Sequence, residues 1–246
     1  LYVGGNFIDV GGDPSADRVV KWDGNNWNAL GAGLNNWVKS LVFDSSSGFL
    51  YAGGYFDDRV ARWNGIGWTA LGPSLNDIVE SIFLDSSGNV YAGGDFTSPG
   101  DRIAKWNGAS WSALGSGFDS LVYSIAEYDG TIYAGGGFTL SNQITVNKVA
   151  KWDTDKNDWA PLGTGVNNVV RALAFDYDNS LLYAGGDFTT ASGITVNRIA
   201  KWDGSSWSAL DYGLGASGTV SALALDSSGN LYAGGTFTRI CGVATC

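Results

Sequence analysis

Residues 183–188, Tyr-Ala-Gly-Gly-Asp-Phe, and residues 197–202, Asn-Arg-Ile-Ala-Lys-Trp, decide the fold because both segments recur along the chain. The tetrad Tyr-Ala-Gly-Gly, or its Val variant, begins at Tyr2, Tyr51, Tyr91, Tyr133, Tyr183 and Tyr232, at intervals of 49, 40, 42, 50 and 49 residues. A phenylalanine follows each tetrad two residues later. Self-similarity at such a period indicates an array of structural repeats.

Two tryptophan columns and one apolar stretch complete the repeat. The tryptophan pairs are Trp22 and Trp27, Trp63 and Trp68, Trp106 and Trp111, Trp152 and Trp159, and Trp202 and Trp207. Each interval also contains an apolar stretch that ends in an acid. β-rich residues bounded by Gly, Asn, Asp and Ser indicate strands joined by tight turns. We therefore predict four strands per repeat, exemplified by a (Val220 to Asp226), b (Leu231 to Phe237), c (Arg198 to Trp202) and d (Trp207 to Leu210).

Four-stranded antiparallel sheets at this spacing predict an all-β protein, a β-propeller without helices. One twisted sheet cannot bury both of its faces alone, whereas neighbouring blades of a propeller bury them for each other. The Tyr-Ala-Gly-Gly tetrad with its spaced tryptophan is similar to kelch-like blades. It resembles still more closely the Trp- and Gly-rich propeller repeats of secreted bacterial surface proteins and of fungal cortical marker ectodomains. This resemblance covers essentially the entire chain and implies an architecture rather than an activity.

The number of blades depends on a strand count. The sequence contains five strands each of types a, c and d, but six of type b. We expect residues 1–246 to form a single propeller domain of five blades, closed by pairing of Val220 to Asp226 with the N-terminal strand Leu1 to Phe7. The alternative is a six-bladed ring that lacks one a, one c and one d strand. Because the sequence opens in mid-pattern, we also expect an excerpt of a longer repeat protein or a processed product.

Composition excludes several classes of function. Fourteen basic residues against 24 acidic ones give a net charge of −10, which opposes binding to nucleic acid and to anionic lipid. No apolar run is long enough for a membrane-spanning helix, so we expect no membrane insertion. The chain has no histidine, which removes Ser-His-Asp and Cys-His catalytic devices and the commonest metal ligand. We expect no cofactor.

The two cysteines, Cys241 and Cys246, are both among the last six residues. Their spacing suits a small disulfide loop better than a zinc site, which normally needs four ligands. The alternative is a pair of reduced thiols in a frayed terminus. A disulfide indicates an oxidising compartment, and we predict an extracellular or cell-surface, secreted protein.

Loop lengths distinguish the two faces of the predicted propeller. The a–b and c–d turns share one face and are short, whereas the b–c and d–a connections share the other face and vary in length. Binding residues are concentrated on variable loops of a rigid scaffold. We call this second face the candidate binding face. Its members are residues 8–17, 139–147 and 189–197, with the d–a loops near Trp37 and Tyr212.

Trp37 is the single tryptophan outside the two columns, and it follows Asn35 and Asn36 in a d–a loop of the candidate binding face. An exposed tryptophan beside amide groups can stack on a pyranose ring and bond its hydroxyls. The alternative is that Trp37 caps the core at the start of strand a. We take Trp37, Asn35 and Asn36 as candidate ligand-binding residues.

Polar pairs recur at the start of strand c. A basic residue there follows an acid or an amide, which gives five further candidate ligand-binding residues: Asp17, Asp58, Asp101, Asn147 and Asn197. A second basic column precedes the first tryptophan of each pair. The alternative to ligand binding is structural: both columns would pair with the acids that end strand a and lay their stems along the tryptophans.

Metal and catalytic motifs are weak. The turn from Asp153 to Asp158 alternates oxygen ligands as a calcium loop does, but the sixth position is Asp158 rather than Gly and the twelfth is Thr164 rather than Glu. We therefore predict a solvated turn and no metal site. The acids occupy repeated positions, and we find no single place that breaks the repeat as an active site should. We predict that the protein is not an enzyme.

Two classes of function remain in play. The first is a non-enzymatic extracellular domain that binds a glycan or a protein through the candidate binding face. The second is a purely structural propeller unit, which assembles with further copies or domains in a larger surface or filamentous protein. A carbohydrate-active enzyme is a third alternative.

Overall fold

The computed structural model describes residues 1–210, 213–214 and 217–238. Strands dominate this part of the chain, and its one helical element is a three-residue 3-10 turn, Val10–Gly12. No helix within it has the length and apolar character needed to cross a membrane. Tyr212 and the predicted disulfide partners Cys241 and Cys246 fall outside these residues. Two compact units, Leu1–Leu114 and Gly115–Cys246, divide the chain and are described separately.

The first unit contains three antiparallel sheets, one of three strands and two of four. The three-stranded sheet consists of strands b, c and d, which are β1 (Tyr2–Gly4), β2 (Val19–Trp22) and β3 (Trp27–Ala29). The next sheet is β4 (Val38–Asp44), β5 (Phe49–Gly54), β6 (Val60–Trp63) and β7 (Trp68–Ala70). The third is β8 (Val79–Leu84), β9 (Val90–Gly94), β10 (Ile103–Trp106) and β11 (Trp111–Ala113).

The second unit contains two four-stranded sheets, each with a small hairpin in its b–c loop. The first sheet is β12 (Val122–Tyr128), β13 (Thr131–Gly136), β16 (Val149–Asp153) and β17 (Asp158–Pro161), with hairpin β14 (Leu140–Ser141) and β15 (Ile144–Thr145). The second is β18 (Val170–Asp176), β19 (Leu181–Gly186), β22 (Ile199–Trp202) and β23 (Trp207–Ala209), with hairpin β20 (Thr190–Ala191) and β21 (Ile194–Thr195). A two-stranded sheet, β24 (Val220–Leu225) and β25 (Leu231–Gly235), completes the unit.

Each four-stranded sheet has the predicted order a-b-c-d, with every strand antiparallel to its neighbours. In the last repeat, β24 pairs with β25, the b-type strand that a five-bladed ring leaves surplus. In the first unit, β1 pairs with β2. The five-blade count, the closure of the ring and the single-domain assignment stay predictions.

The two tryptophan columns meet across the c–d pair of strands. The register places Trp22 opposite Trp27, and the same pairing recurs in the four later repeats. Ring centroids of these pairs lie 5.0 to 5.7 Å apart. The Nε1 of Trp68 donates a hydrogen bond to the backbone oxygen of Leu30, 3.0 Å away, in the preceding repeat. The second tryptophan of a pair therefore also links neighbouring sheets.

The second glycine is required by a close backbone approach in five of the six tetrads, the exception being Gly5. A Cβ atom added at Gly54 would lie 2.1 Å from the backbone oxygen of Trp37, the residue before strand a. The same distance is 2.0 to 2.1 Å at Gly94, Gly136, Gly186 and Gly235. The following residue donates its amide to that oxygen, as Tyr55 does to Trp37 at 2.9 Å. The phenylalanine after the tetrad is then fully buried, as at Phe56 and Phe188.

Candidate functional site

The b–c and d–a loops of the candidate binding face are fastened to each other by a repeated side-chain clasp. The Asn35 Oδ1 accepts the Asp57 amide at 3.2 Å, and its Nδ2 donates to the Asp57 Oδ2 at 2.6 Å. Asn76, Asp119 and Asn167 accept amides from the residues after Phe96, Phe138 and Phe188 in the same way. Asn36 accepts the Trp37 amide at 2.8 Å. The predicted candidates Asn35 and Asn36 therefore each support the loop.

Trp37 lies on the candidate binding face with its side chain 41% exposed. Its ring packs against Tyr55 with centroids 5.5 Å apart and an interplanar angle of 42°. Tyr55 is the residue between the tetrad and its phenylalanine, at the same end of the sheet. The two rings form an aromatic surface of which the outer ring is half open to solvent. We call Trp37, Tyr55, Lys39 and Glu80 the Trp37 platform.

An ion pair adjoins this aromatic surface. The Lys39 Nζ lies 3.1 Å from the Glu80 Oε2, and the Tyr55 hydroxyl donates to the Glu80 Oε1 at 3.2 Å. Lys39 also lies over the Tyr55 ring, 5.4 Å from its centroid. The Glu80 side chain is only 12% exposed. The Trp37 platform thus combines a stacking ring with a fixed carboxylate and a fixed ammonium group.

The second unit contains a comparable cluster. Arg171 donates two hydrogen bonds to the Asp187 Oδ2, from Nε at 3.0 Å and Nη2 at 2.7 Å, and its guanidinium lies 5.6 Å from the Tyr123 ring centroid. The Thr219 hydroxyl donates to the Asp187 Oδ1 at 2.6 Å. Burial opposes ionisation of Asp187, but the hydrogen bonds from Arg171 and Thr219 outweigh it and lower the pKa of this carboxyl below its ordinary value.

Both clusters use residues from the same position of strand a, and the sequence analysis did not identify this position. In every a–b pair the register shifts after the first residue of strand a, which leaves the second residue as a β-bulge. The bulged residues are Lys39, Glu80, Tyr123, Arg171 and Ser221. Bulges turn a side chain away from the regular alternation and are common at functional sites. This bulged column carries a different chemistry in each sheet, whereas the bulge itself recurs in all five a–b pairs.

The five predicted polar residues before strand c are not joined to one another by any hydrogen bond among the described residues. The Asp17 Oδ1 accepts the Asp9 amide at 2.9 Å inside its own loop. Asn147 donates to the Thr164 backbone oxygen at 2.9 Å, and Asn197 accepts the Leu214 amide at its backbone oxygen. Asp58 and Asp101 are exposed to solvent. Each of the five belongs to a separate loop.

The basic residues that open strand c adopt a left-handed backbone, which explains why strand c begins one residue later than predicted. Their φ values lie between 59° and 74° at Arg18, Arg59, Arg102, Lys148 and Arg198. Their side chains fold back onto the residue between the tetrad and its phenylalanine. Lys148, for example, donates to the Gly137 oxygen at 2.8 Å, and Arg102 donates to the Asp95 carboxylate at 2.6 Å. The predicted pairing of this column with the acids that end strand a was wrong.

Those acids instead accept hydrogen bonds within the a–b turns. Asp226 accepts the amides of Ser228 and Asn230, each at 2.9 Å. The register sets the second basic column opposite the tetrad tyrosines, and three of its members lie over aromatic rings of strand b rather than over tryptophans. Lys105 lies 5.3 Å from the Tyr91 ring centroid, and Lys21 lies 5.8 Å from that of Tyr2.

A groove of about 390 Å³ opens on the candidate binding face of the second unit. Its lining includes Thr164, Asn167, Thr190 and Ser192, with Lys148 as one charged member. Asn147, one of the predicted residues, also lines it. These walls are made mainly of hydroxyl and amide groups. They offer a neutral ligand hydrogen-bond donors and acceptors.

The turn from Asp153 to Asp158 is held by its own side chains. Lys156 pairs with Asp153 at 2.7 Å, and Asp158 accepts the amide and hydroxyl of Ser116 at 3.0 and 2.9 Å. Within the described part of the chain, no group of three or more His, Cys, Asp or Glu residues is placed to hold a metal ion.

Comparisons with known proteins agree with this architecture. The family model of the Rax2 C-terminal beta propeller domain matches residues 103–236, more than half of the chain. No curated protein sequence matches. Two crystal structures of B. thetaiotaomicron proteins have a similar fold: the extracellular domain of a putative one component system (TM-score 0.63, 16% identity) and that of a putative hybrid two component system (TM-score 0.62, 17% identity). Each match covers 88% of this chain but only 28% of the other.

The predicted fold class is thereby confirmed as an all-β propeller of four-stranded antiparallel sheets. The resemblance to propellers of bacterial extracellular proteins is supported at the level of fold. The more specific likeness to kelch repeats stays a prediction.

Proposed function

The chain belongs to the family of Rax2 C-terminal β-propeller domains, and from this premise we propose that it is a non-enzymatic extracellular domain that binds a glycan on the candidate binding face. The observation that carries the proposal is the Trp37 ring, half exposed and packed on Tyr55 beside the Lys39–Glu80 ion pair. The extracellular location is supported by the two B. thetaiotaomicron structures, which are extracellular domains.

The chemistry of the Trp37 platform suits a sugar. A pyranose ring has an apolar face of C–H groups that packs on an indole, and hydroxyls at its rim that need polar partners. Glu80 can accept from a hydroxyl and Lys39 can donate to one, and their mutual ion pair fixes both side chains in advance. Such preorganisation reduces the entropy that is lost on binding. The groove beside Asn147 offers neutral hydrogen-bonding groups of the kind that sugar hydroxyls use.

Two observations support binding without catalysis. A glycosidase needs one carboxyl group whose pKa is raised, so that it remains protonated and can act as an acid. Among the described residues, the carboxyl groups with a clearly shifted pKa all have it lowered, Asp187 included. The Glu80 carboxylate is already engaged by Lys39 and by the Tyr55 hydroxyl, which leaves it poorly placed to act on a substrate.

The test is a glycan array followed by titration of the best ligand against Trp37→Ala. We expect the affinity to fall roughly tenfold or more, as for a central aromatic contact. Trp27→Ala is the matched control, because Trp27 is also 41% exposed but lies on strand β3 away from this face. Equal losses in both variants, or an array without any binding, would contradict the proposal and favour a structural unit. Release of reducing sugar from a bound polysaccharide would contradict the absence of catalysis.

A further inference from the structure

The larger groove of the second unit lies on the opposite face, where the a–b turns are found. It measures about 410 Å³ and separates the turn after β18 from the turn after β24. Phe175, Asp176, Tyr177 and Asp178 form one wall, and Asp226 belongs to the other. The a–b turns are short, and the sequence predicts binding on the other face. The structure gives the face of the a–b turns a distinct cavity.

A difference between two repeats explains why the groove is open. Tyr128, the last residue of β12, stacks on Phe175 of the next sheet with centroids 4.1 Å apart and planes 10° from parallel. Asp176 ends β18 at the equivalent position. Its carboxylate instead accepts the amide and the Nδ2 of Asn179, at 3.0 and 2.9 Å, inside its own turn. No ring therefore fills the space between β18 and β24.

The walls combine an open aromatic ring with negative charge. Tyr177 is 61% exposed, and its hydroxyl donates to the Glu127 backbone oxygen at 3.2 Å, which fixes the ring beside Phe175. The side-chain amides of Asn179 and Asn230 lower the pKa values of Asp176 and Asp226, so both carboxyls are ionised at neutral pH. The exposed Asp178 carboxylate has no hydrogen bond or ion pair among the described residues. No basic residue lines the groove.

From this charge complementarity we propose that the groove binds a lysine or arginine side chain of a basic segment in a partner polypeptide. The cationic head meets the carboxylate of Asp178, the negative charge of Asp226 lies on the facing wall, and the alkyl stem lies along the Tyr177 ring. A cation over a tyrosine face is attracted by the ring, and the free carboxylate of Asp178 supplies an ionic partner. This site shares no residue with the Trp37 platform, and it recognises charge rather than hydroxyl groups.

The experiment is calorimetric titration of the full chain with a blocked pentalysine peptide and with the same peptide acetylated at every lysine. Acetylation removes the charge but preserves the stem. We expect binding of the first peptide only, weakened by salt. Asp178→Asn should lower the affinity about two- to fivefold, the range of a single exposed charge pair. Tyr177→Ala should lower it by a similar factor.

Asp155→Asn is the matched control, since Asp155 is an exposed acid in the c–d turn and its substitution changes the net charge equally. The proposal requires this variant to bind pentalysine as the unchanged chain does. Equal weakening by Asp155→Asn would show that pentalysine responds only to the net charge of −10. The proposal would be overturned if the acetylated peptide bound as tightly as pentalysine, or if a neutral oligosaccharide displaced pentalysine. It would also be overturned if the chain formed a concentration-dependent dimer that covers the groove. Ser227→Trp is a second variant, which places a ring in the groove and leaves the acids intact. The proposal requires it to weaken pentalysine binding, although the net charge is unchanged.

Discussion

Replacing Gly185 with alanine tests whether the first glycine of the tetrad exists to let neighbouring sheets approach. A Cβ at this position would lie 2.4 Å from the Val220 Cγ1 and 3.3 Å from the Leu223 Cδ1, both in the adjacent strand β24. Gly234 occupies the same tetrad position in the next repeat, and a Cβ there meets nothing within 4 Å. The two glycines therefore share a local sequence but differ in what lies next to them.

The expected free energies of unfolding follow from this difference. Overpacking of a core contact typically destabilises a protein by about 1–3 kcal/mol. Where the backbone accepts alanine without strain, replacing glycine stabilises by about 0.4–1 kcal/mol through the unfolded chain. Gly234→Ala should therefore be neutral or slightly stabilising, and Gly185→Ala should be less stable than it by about 1–3 kcal/mol. For a chain of this size that difference lowers Tm by roughly 2–12 °C.

Thermal and urea unfolding of both variants, followed by circular dichroism, measures the effect. Val220→Ala removes the Cγ1 atom that the new methyl group would meet, so the double variant Gly185→Ala with Val220→Ala should lose less stability than the sum of the two single changes. Equal unfolding temperatures of Gly185→Ala and Gly234→Ala, or simple additivity in the double variant, would show that the Gly185–Val220 contact does not limit the packing of the two sheets.

Two further predictions concern a buried indole and an acidic turn. Trp207 is 2% exposed, and its Nε1 donates to the Leu162 oxygen at 2.9 Å. Trp207→Phe should therefore lower the free energy of unfolding in urea by about 1–3 kcal/mol. A loss no larger than that of Trp27→Phe, at an exposed tryptophan, would contradict this. Hydrogen bonds from the serine side chains of its turn lower the pKa of Asp44 from 3.8 to about 2. The stabilisation from this turn should therefore be complete above about pH 4 and lost as the pH falls through 2, and an NMR titration that finds an ordinary Asp44 pKa would refute it.

The recurrent tetrad and the tryptophan pairs predicted the strands of the four-stranded sheets, but not the small hairpins β14–β15 and β20–β21 within the b–c loops. A tight c–d turn predicts that Trp202 lies opposite Trp207. Alternation along a strand predicts that Phe188 is buried. The boundaries of strand c were less predictable. Arg198 has a φ of 74°, a conformation that a non-glycine residue adopts only when its surroundings fix it. Here its amide donates to the Phe188 oxygen and its own oxygen accepts the Gly186 amide, contacts that no composition rule specifies.

Part of the candidate site was predictable in the same sense. The d–a loop predicts that Trp37 lies on the candidate binding face, and the structure has its ring half exposed there. The charged groups of the Trp37 platform were not predictable, because Lys39 and Glu80 contact Tyr55 from β-bulges. A one-residue shift in register reverses the face toward which a side chain points, and the sequence of strand a does not show where the shift occurs. Only the variability of this position from repeat to repeat marks it in advance.

The bulged column also explains how a repeated scaffold can bind one ligand rather than several equivalent ones. Groups that recur in every repeat, such as Asn35 in the loop clasp, are engaged in holding that repeat together and have little capacity left for a ligand. Groups that differ between repeats have no such shared structural duty. Lys39, Glu80 and Arg171 are of this second kind: Lys39 and Glu80 pair between neighbouring sheets, and Arg171 pairs with Asp187 of its own sheet. Recognition in this protein is therefore expected where the repeats diverge, at the bulges and in the unfilled space between β18 and β24.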